Sequence, residues 1–341
     1  MKKIVFALCS VVLLSAISSC KKEATEVSPI VLERGEADDA SSRNEFDKIY
    51  DVAEEVFNSS DYDNSTLRTA LTLPCGNVTL NTQNFTINYG TSTTCGSRVL
   101  SGTVLAELVE GTRFRDQNAV LKLTFINYKV LYTSTNQSLT YNGIAYVTNT
   151  TGGTLLSLFT TTPVTVTHKI RADLNVTYDS TGTGNNNVTR EWNVFRRKTY
   201  TSNGSATGIT LTLTGDTSST DNSYIEGTYS TISEYGLNRE GKKFINNVTQ
   251  EFRWENCGST YNGPYILKQG SVTHTAALGT IYTYTDAYGS FTATAGYFGT
   301  LGLPTGTLVN NCTSNGYLVD YKIRNGVNGT PTTLSTNFIP Y

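Results

Sequence analysis

Charge is scarce in this sequence. Of 341 residues only 16% are Asp, Glu, Lys or Arg, against roughly a quarter in an average soluble domain. The formal net charge is −2, so the basic excess that drives nucleic-acid binding is missing. The same scarcity excludes a coiled coil and a charge-rich disordered chain. Met occurs once, at the start, and His only twice. Past the N-terminus no apolar run reaches the roughly 18 residues that a membrane-spanning helix needs. The Gly-x-Ser-x-Gly elbow, the HExxH pair, the phosphate loop and the dinucleotide fingerprint are all missing. What is abundant is Thr, with 56 residues, alongside 21 Tyr and 29 Gly. A chain rich in Thr and Tyr and poor in Pro, with 7, is biased towards β-strands.

The N-terminus carries the sharpest signal. Lys2 and Lys3 precede an apolar stretch from Ile4 to Leu14, and small residues follow up to Cys20. This is the layout of a secretory signal peptide. Ile17-Ser18-Ser19-Cys20 resembles the bacterial lipobox, whose Cys is lipidated before cleavage. Residues 1–19 are then a lipoprotein signal peptide, and the mature chain runs from Cys20. Loss of Lys2 and Lys3 leaves 24 basic against 28 acidic groups, a net charge of −4. Acyl chains on Cys20 bind a membrane durably, at roughly 0.8 kcal/mol per buried methylene. Lys21 and Lys22 after the lipid site, with no Asp in second position, point to the outer membrane. They leave open whether the chain faces the periplasm or the cell exterior.

Residues 20–41 read as the lipidated Cys and a flexible acidic tether, with Glu23, Glu26, Glu33, Glu36, Asp38 and Asp39. An amphipathic helix is predicted over 42–60. Ser42 and Glu45 have capping-box spacing. Phe46, Ile49, Tyr50, Ala53, Val56 and Phe57 form one apolar face, expected to dock on the rest. Asp47, Asp51, Glu54 and Glu55 read as its solvated face.

Residues 61–341 read as an antiparallel β-region, of a size for one large unit or two subdomains. Its clearest strand is Val164–Tyr178, where an apolar row alternates with Thr165, Thr167, Lys169, Arg171, Asp173, Asn175 and Thr177. So long a strand must twist or carry a bulge. Further strands are predicted near 98–110, 118–133, 138–148, 187–201, 208–214, 223–234, 243–254, 265–275, 280–286 and 316–323. Asn142-Gly143, Ser202-Asn203-Gly204 and 181–186 have turn chemistry. Short turns between successive strands mean antiparallel pairing. The fold class is therefore mainly β: a long meander forming a sandwich, a curved open sheet or a barrel-like unit, with one N-terminal helix.

Cys75, Cys95, Cys257 and Cys312 remain after Cys9 and Cys20 are set aside. Three pairings exist, and sequence alone does not choose among them. Local proximity favours Cys75–Cys95 and Cys257–Cys312, and export permits disulfides. The spacings do not suit zinc, and no metal or cofactor is expected.

The lipobox, acidic tether and capped helix are followed by Cys75, Asn88-Tyr89-Gly90, Cys95, Arg98 and Gly102. Later come Asn238-Arg239-Glu240-Gly241-Lys242 and Trp254-Glu255-Asn256-Cys257. Over most of the mature chain this resembles a family of Bacteroidota cell-envelope lipoproteins that has no established activity. The resemblance implies a location and no catalytic residue.

Candidate chemistry is thin. His168 falls on the apolar face of its strand and reads as a buried, hydrogen-bonded imidazole; His274 reads as a surface-strand residue. A glycosidase needs two carboxylates and a cleft, for which Glu226 with Glu234, or Glu251 with Glu255, would serve. Trp192 and Trp254 read as core, and Arg196-Arg197-Lys198 as a solvated strand end split between two faces. Tyr282, Tyr284 and Tyr288 share one strand parity with Asp286. They are the candidate ligand-binding residues: rings for sugar stacking and a carboxylate for hydroxyls, unless the rings fill the core. The expected role is non-catalytic, structural or interactive, at the cell envelope. The membrane is one partner, through Cys20, and a polysaccharide or envelope protein the other. The alternative is a carboxylate-dependent glycan hydrolase.

Overall fold

The computed structural model describes residues 42–43, 45–53, 56–57, 71–72, 75–80, 84–159, 162–179, 187–204, 208–218, 229–238, 241, 243–256, 265–277, 282–286, 289–293, 296–302, 316–324 and 332–340. Beyond Glu255 the description is of backbone, Gly270 and Val272 excepted. Residues 42–43, 45–53 and 56–57 are helical and make up α1; Glu54 and Glu55 lie outside the described residues. The strands follow in order: β1 (Leu71–Thr72), β2 (Asn77–Leu80), β3 (Asn84–Asn88), β4 (Thr93–Cys95), β5 (Arg98–Glu110) and β6 (Ala119–Tyr132). Next are β7 (Gln137–Asn149), β8 (Val164–Asp179), β9 (Asn187–Ser202), β10 (Ile209–Gly215), β11 (Ile232–Leu237) and β12 (Lys243–Asn256). The last are β13 (Tyr265–Ala277), β14 (Tyr282–Asp286), β15 (Gly289–Ala293), β16 (Gly296–Gly302), β17 (Gly316–Arg324) and β18 (Thr332–Pro340).

Among the described residues the fold is mainly β, with one α-helix and a short 3-10 helix at Leu155–Phe159, as the alternation predicts. Sixteen strands form one antiparallel meander from β1 to β18, and β14 pairs with β15 alone among the described residues. Sandwich packing of two large sheets is not what the pairing gives. β10 and β11 lie end to end in one slot. β10 pairs with the 196–202 end of β9, and β11 with Trp192–Val194; both pair with β12 on the other side. The strand predicted near 223–234 is described only as β11, which starts at Ile232. The predicted 223–228 lie outside the described residues.

β8 follows the alternation residue by residue. Val166, His168, Ile170, Ala172, Leu174, Val176 and Tyr178 are buried, while Thr165, Arg171, Asp173 and Asn175 are exposed. It pairs with β9 over its whole length without a register shift. The bulges fall on its neighbours. β5 and β6 shift register between Ser101 and Thr103, and β6 and β7 between Phe125 and Tyr128. Asn142-Gly143 therefore does not make a turn; it lies inside β7, where the Asn142 side chain accepts the Asn127 N–H at 2.9 Å. Turn chemistry and bulge chemistry use the same residues, because both need an Asx acceptor and a backbone free of Cβ. At Gly143 φ is +134°, and a Cβ there would collide with the Asp173 carbonyl on β8. Gly143→Ala is expected to lose about 1–3 kcal/mol, read as a lowered urea midpoint with an unchanged slope.

These bends let the sheet curl around α1. Phe46 meets Phe125 on β6 at 5.9 Å and Trp192 on β9 at 5.8 Å between ring centroids. Strands three apart stand about 14 Å from one another on a flat sheet, so one side chain touching both requires curvature. Phe57 packs on Phe85 of β3 and on Phe114 in the β5–β6 connection. Helix and inner sheet face share one core. The Cys75–Cys95 disulfide is formed, with a Cα–Cα distance of 5.5 Å, and ties the chain before β2 to β4. Cys257 and Cys312 lie outside the described residues.

Candidate functional site

The contact between α1 and the inner sheet face is not a plain apolar seam. On β9 the inward positions are Arg190, Trp192, Val194, Arg196, Lys198 and Tyr200, all buried. Arg196-Arg197-Lys198 does split between faces, but only Arg197 reaches solvent. The other two are taken up by α1, which covers the inner face, and by Glu234 of β11, the next strand in the sheet. Buried charge is costly unless paired and hydrogen-bonded, and here the partners come from elements far away in sequence.

Asp47, expected on a solvated face, is 2% exposed. Its Oδ1 accepts from Lys198 Nζ at 2.8 Å and lies 3.6 Å from Arg196 Nη1. Glu234 on β11 is as deeply buried. It accepts from Arg196, from the Trp192 ring N–H at 3.1 Å, from the Asn246 amide at 2.9 Å and from Arg43 Nε at 2.9 Å. The Trp192 ring is flanked by the guanidinium groups of Arg190 and Arg196, 5.2 and 5.5 Å from its centroid, a favourable cation–π arrangement in a dry site.

Ser42 and Glu45 spend their side chains on the sheet rather than on the capping box. The Ser42 hydroxyl is 2.6 Å from the Tyr178 hydroxyl. Glu45 accepts from Arg98 Nη1 at 2.6 Å, Lys48 Nζ at 2.7 Å and the Tyr132 hydroxyl at 3.1 Å. Asp51, one turn beyond Asp47, is half-buried. Burial pushes its carboxyl up from 3.8 to about 7, with Lys198 opposing and Asp47 adding to the rise.

His168 is the buried imidazole that its strand position predicts. It stands opposite Lys198 in the β8–β9 register. The Tyr50 hydroxyl and His168 Nδ1 are hydrogen-bonded, and the rings of Tyr50, Phe114 and Tyr200 surround the imidazole. Burial, with the Lys198 charge adding to it, lowers its pKa from 6.5 to about 3. The folded state therefore prefers the neutral ring. That contribution is complete above pH 6.5 and fades as pH falls towards 3. Acidification from pH 6.5 to 4.5 is expected to cost the wild type about 2–3 kcal/mol more than His168→Gln. Urea unfolding of both proteins at the two pH values checks this.

Among the described residues the carboxylates proposed for hydrolysis form no free pair. Glu226 lies outside the described residues, and the Glu234 oxygens are held by the four donors above. Glu251 is exposed, and Glu255 pairs with Arg253 Nη2 at 2.7 Å. Trp192 is core as expected. Trp254 is half-buried and stacks on Phe252 at 5.6 Å.

Tyr282, Tyr284 and Asp286 do fall on β14, opposite Ala293, Phe291 and Gly289 of β15. Tyr288 lies outside the described residues. On the outer sheet face, Thr165, Thr167, Thr199, Thr201, Thr210 and Thr212 stand in register across β8, β9 and β10. All are exposed or half-buried, and the Thr167 and Thr199 hydroxyls are 3.3 Å apart. The ionic cluster under α1 carried no sequence signal beyond the inward parity of Arg196 and Lys198 on β9. The chain matches no protein-family model, no curated protein and no solved structure.

Proposed function

We propose that this chain is a lipid-anchored protein of the bacterial outer membrane, held through Cys20, with a non-catalytic structural or interaction role at the cell envelope. The observation that carries this reading is the occupation of the inner sheet face by α1. The polar side chains most able to do chemistry (Asp47, Arg196, Lys198, His168 and Glu234) are spent on docking the helix that follows the tether. Among the described residues the outer face stays open for contact, and its Thr165, Thr199, Thr201 and Thr212 offer hydroxyls and methyls at strand spacing. Such a surface suits a neutral partner, a polysaccharide or a hydroxyl-rich envelope protein, better than a charged one.

Two measurements test this. Cys20→Ser is expected to move the protein from the membrane fraction to the soluble fraction; an unchanged distribution would remove the lipid anchor from the reading. Cosedimentation with the cell's own insoluble envelope polysaccharide is expected to fall at least tenfold in Thr199→Lys/Thr212→Lys. Equal retention of the variant would sink the assignment of the Thr face.

A further inference from the structure

Lys198 and Asp47 are 151 residues apart in sequence, and both are buried. The Lys198 Nζ lies 2.8 Å from Asp47 Oδ1 and 5.1 Å from the centroid of the Tyr50 ring. The second carboxylate oxygen, Oδ2, is buried with no hydrogen-bond partner among the described residues. Arg196 Nη1 approaches Oδ1 at 3.6 Å. Asp51 follows Asp47 by one helical turn, and its ionisation responds to both Asp47 and Lys198. A pair kept only for its charge would be expected to satisfy both oxygens. An amine and a carboxyl held in contact in a site that excludes water are also the two reactants of an amide.

We propose that Lys198 and Asp47 condense to an intramolecular isopeptide bond that joins α1 covalently to β9. Along their hydrogen bond the Lys198 ammonium passes one proton to Asp47 Oδ1, leaving a neutral amine and a neutral carboxylic acid whose carbonyl is Cγ=Oδ2. The Nζ lone pair attacks Asp47 Cγ, and the carbonyl electron pair moves onto Oδ2. Asp51 takes a proton from Nζ and delivers one to Oδ1, ending in its starting state. The Cγ–Oδ1 bond breaks, Oδ1 leaves as water with its two protons, the Oδ2 pair re-forms the carbonyl, and the amide remains. No oxidant, reductant or activated co-reactant is consumed. The fold supplies proximity, which converts a bimolecular condensation into a unimolecular one, and burial limits the return of water.

The bond would have a mechanical use. α1 follows the tether, so a pull at the anchor reaches α1 first. An ion pair yields to such a load, whereas an amide passes it to β9 in the middle of the sheet. The chemistry itself does not depend on where the protein resides.

Tryptic digestion of the purified full chain followed by peptide mass spectrometry tests the proposal, whatever the state of the N-terminus. The wild type is expected to give a branched peptide containing both Asp47 and Lys198, one water lighter than its two arms, and no cleavage after Lys198. Lys198→Arg, which keeps the charge but cannot form the bond, is expected to give no branched peptide. Asp51→Asn is expected to lower the yield at least tenfold, with an unchanged circular dichroism spectrum. Recovery of wild-type Lys198 and Asp47 only in separate, unmodified peptides overturns the proposal without any variant. Full cross-linking in Asp51→Asn overturns the relay assigned to Asp51.

Discussion

Glu234→Ala is expected to destabilise the fold by about 3–5 kcal/mol. The side chain is 1% exposed and anchors four donors from three separate parts of the chain. Its removal leaves the Arg196 guanidinium buried without its closest anion, and the Trp192 N–H and Asn246 amide without their acceptor. The loss is mainly the cost of leaving those groups dry and unpaired, not the strength of an ion pair in water. Glu234→Gln is therefore expected to be intermediate: an amide oxygen still accepts from Trp192 and Asn246, but the charge is gone. Urea unfolding followed by Trp fluorescence reads both, and Trp192 reports from inside the network. A loss below 1 kcal/mol in Glu234→Ala would mean that Arg196 finds another partner or reaches water.

Phe46→Ala is the second substitution with a large expected effect, about 3–5 kcal/mol. Phe46 is fully buried, and its ring bridges β6 and β9 through Phe125 and Trp192. The surrounding strands cannot close the space, because their spacing is fixed by backbone hydrogen bonds. The variant is also expected to release α1 locally before the sheet unfolds. Limited proteolysis should then cut within 42–57 under conditions in which the wild type resists. Equal protection in both proteins would place the holding strength of α1 in its ionic contacts instead.

Local pattern made much of the architecture legible. The Val164–Tyr178 alternation predicted which side chains of β8 face the core, and the i, i+3, i+4 spacing from Phe46 to Phe57 predicted the face that α1 buries. Both patterns are set within a few residues, by the periods of strand and helix. Proximity favoured Cys75–Cys95, which the fold forms. Asn142-Gly143 was misleading for a local reason: the same dipeptide that closes a hairpin also lets β8 approach β7 at a bulge. For Asp47, Arg196 and Lys198 the cause lies far away in sequence. A charged side chain on the flank of an amphipathic helix is solvated unless another element covers it. Nothing within ten residues of Asp47 encodes that β9 will do so.

The scarcity of charge has a second meaning in this light. Outside, the sheet is kept wet by hydroxyls, as at Thr165, Thr199 and Thr212. Several of its few charges are withdrawn to the interior, where Asp47, Glu234, Arg196 and Lys198 hold α1 against β9 and β11. The sequence by itself determined the β class, the helix with its apolar face and the inward parity of β9. These follow from side-chain periodicity, which the backbone alone enforces. Only the tertiary structure decided the curl of the sheet around α1, the end-to-end packing of β10 and β11, and the burial of the ionic cluster. Those depend on contacts between residues up to 191 positions apart, as between Arg43 and Glu234. Such pairings are selected by the desolvation of charge and by packing in three dimensions, which no window of sequence contains.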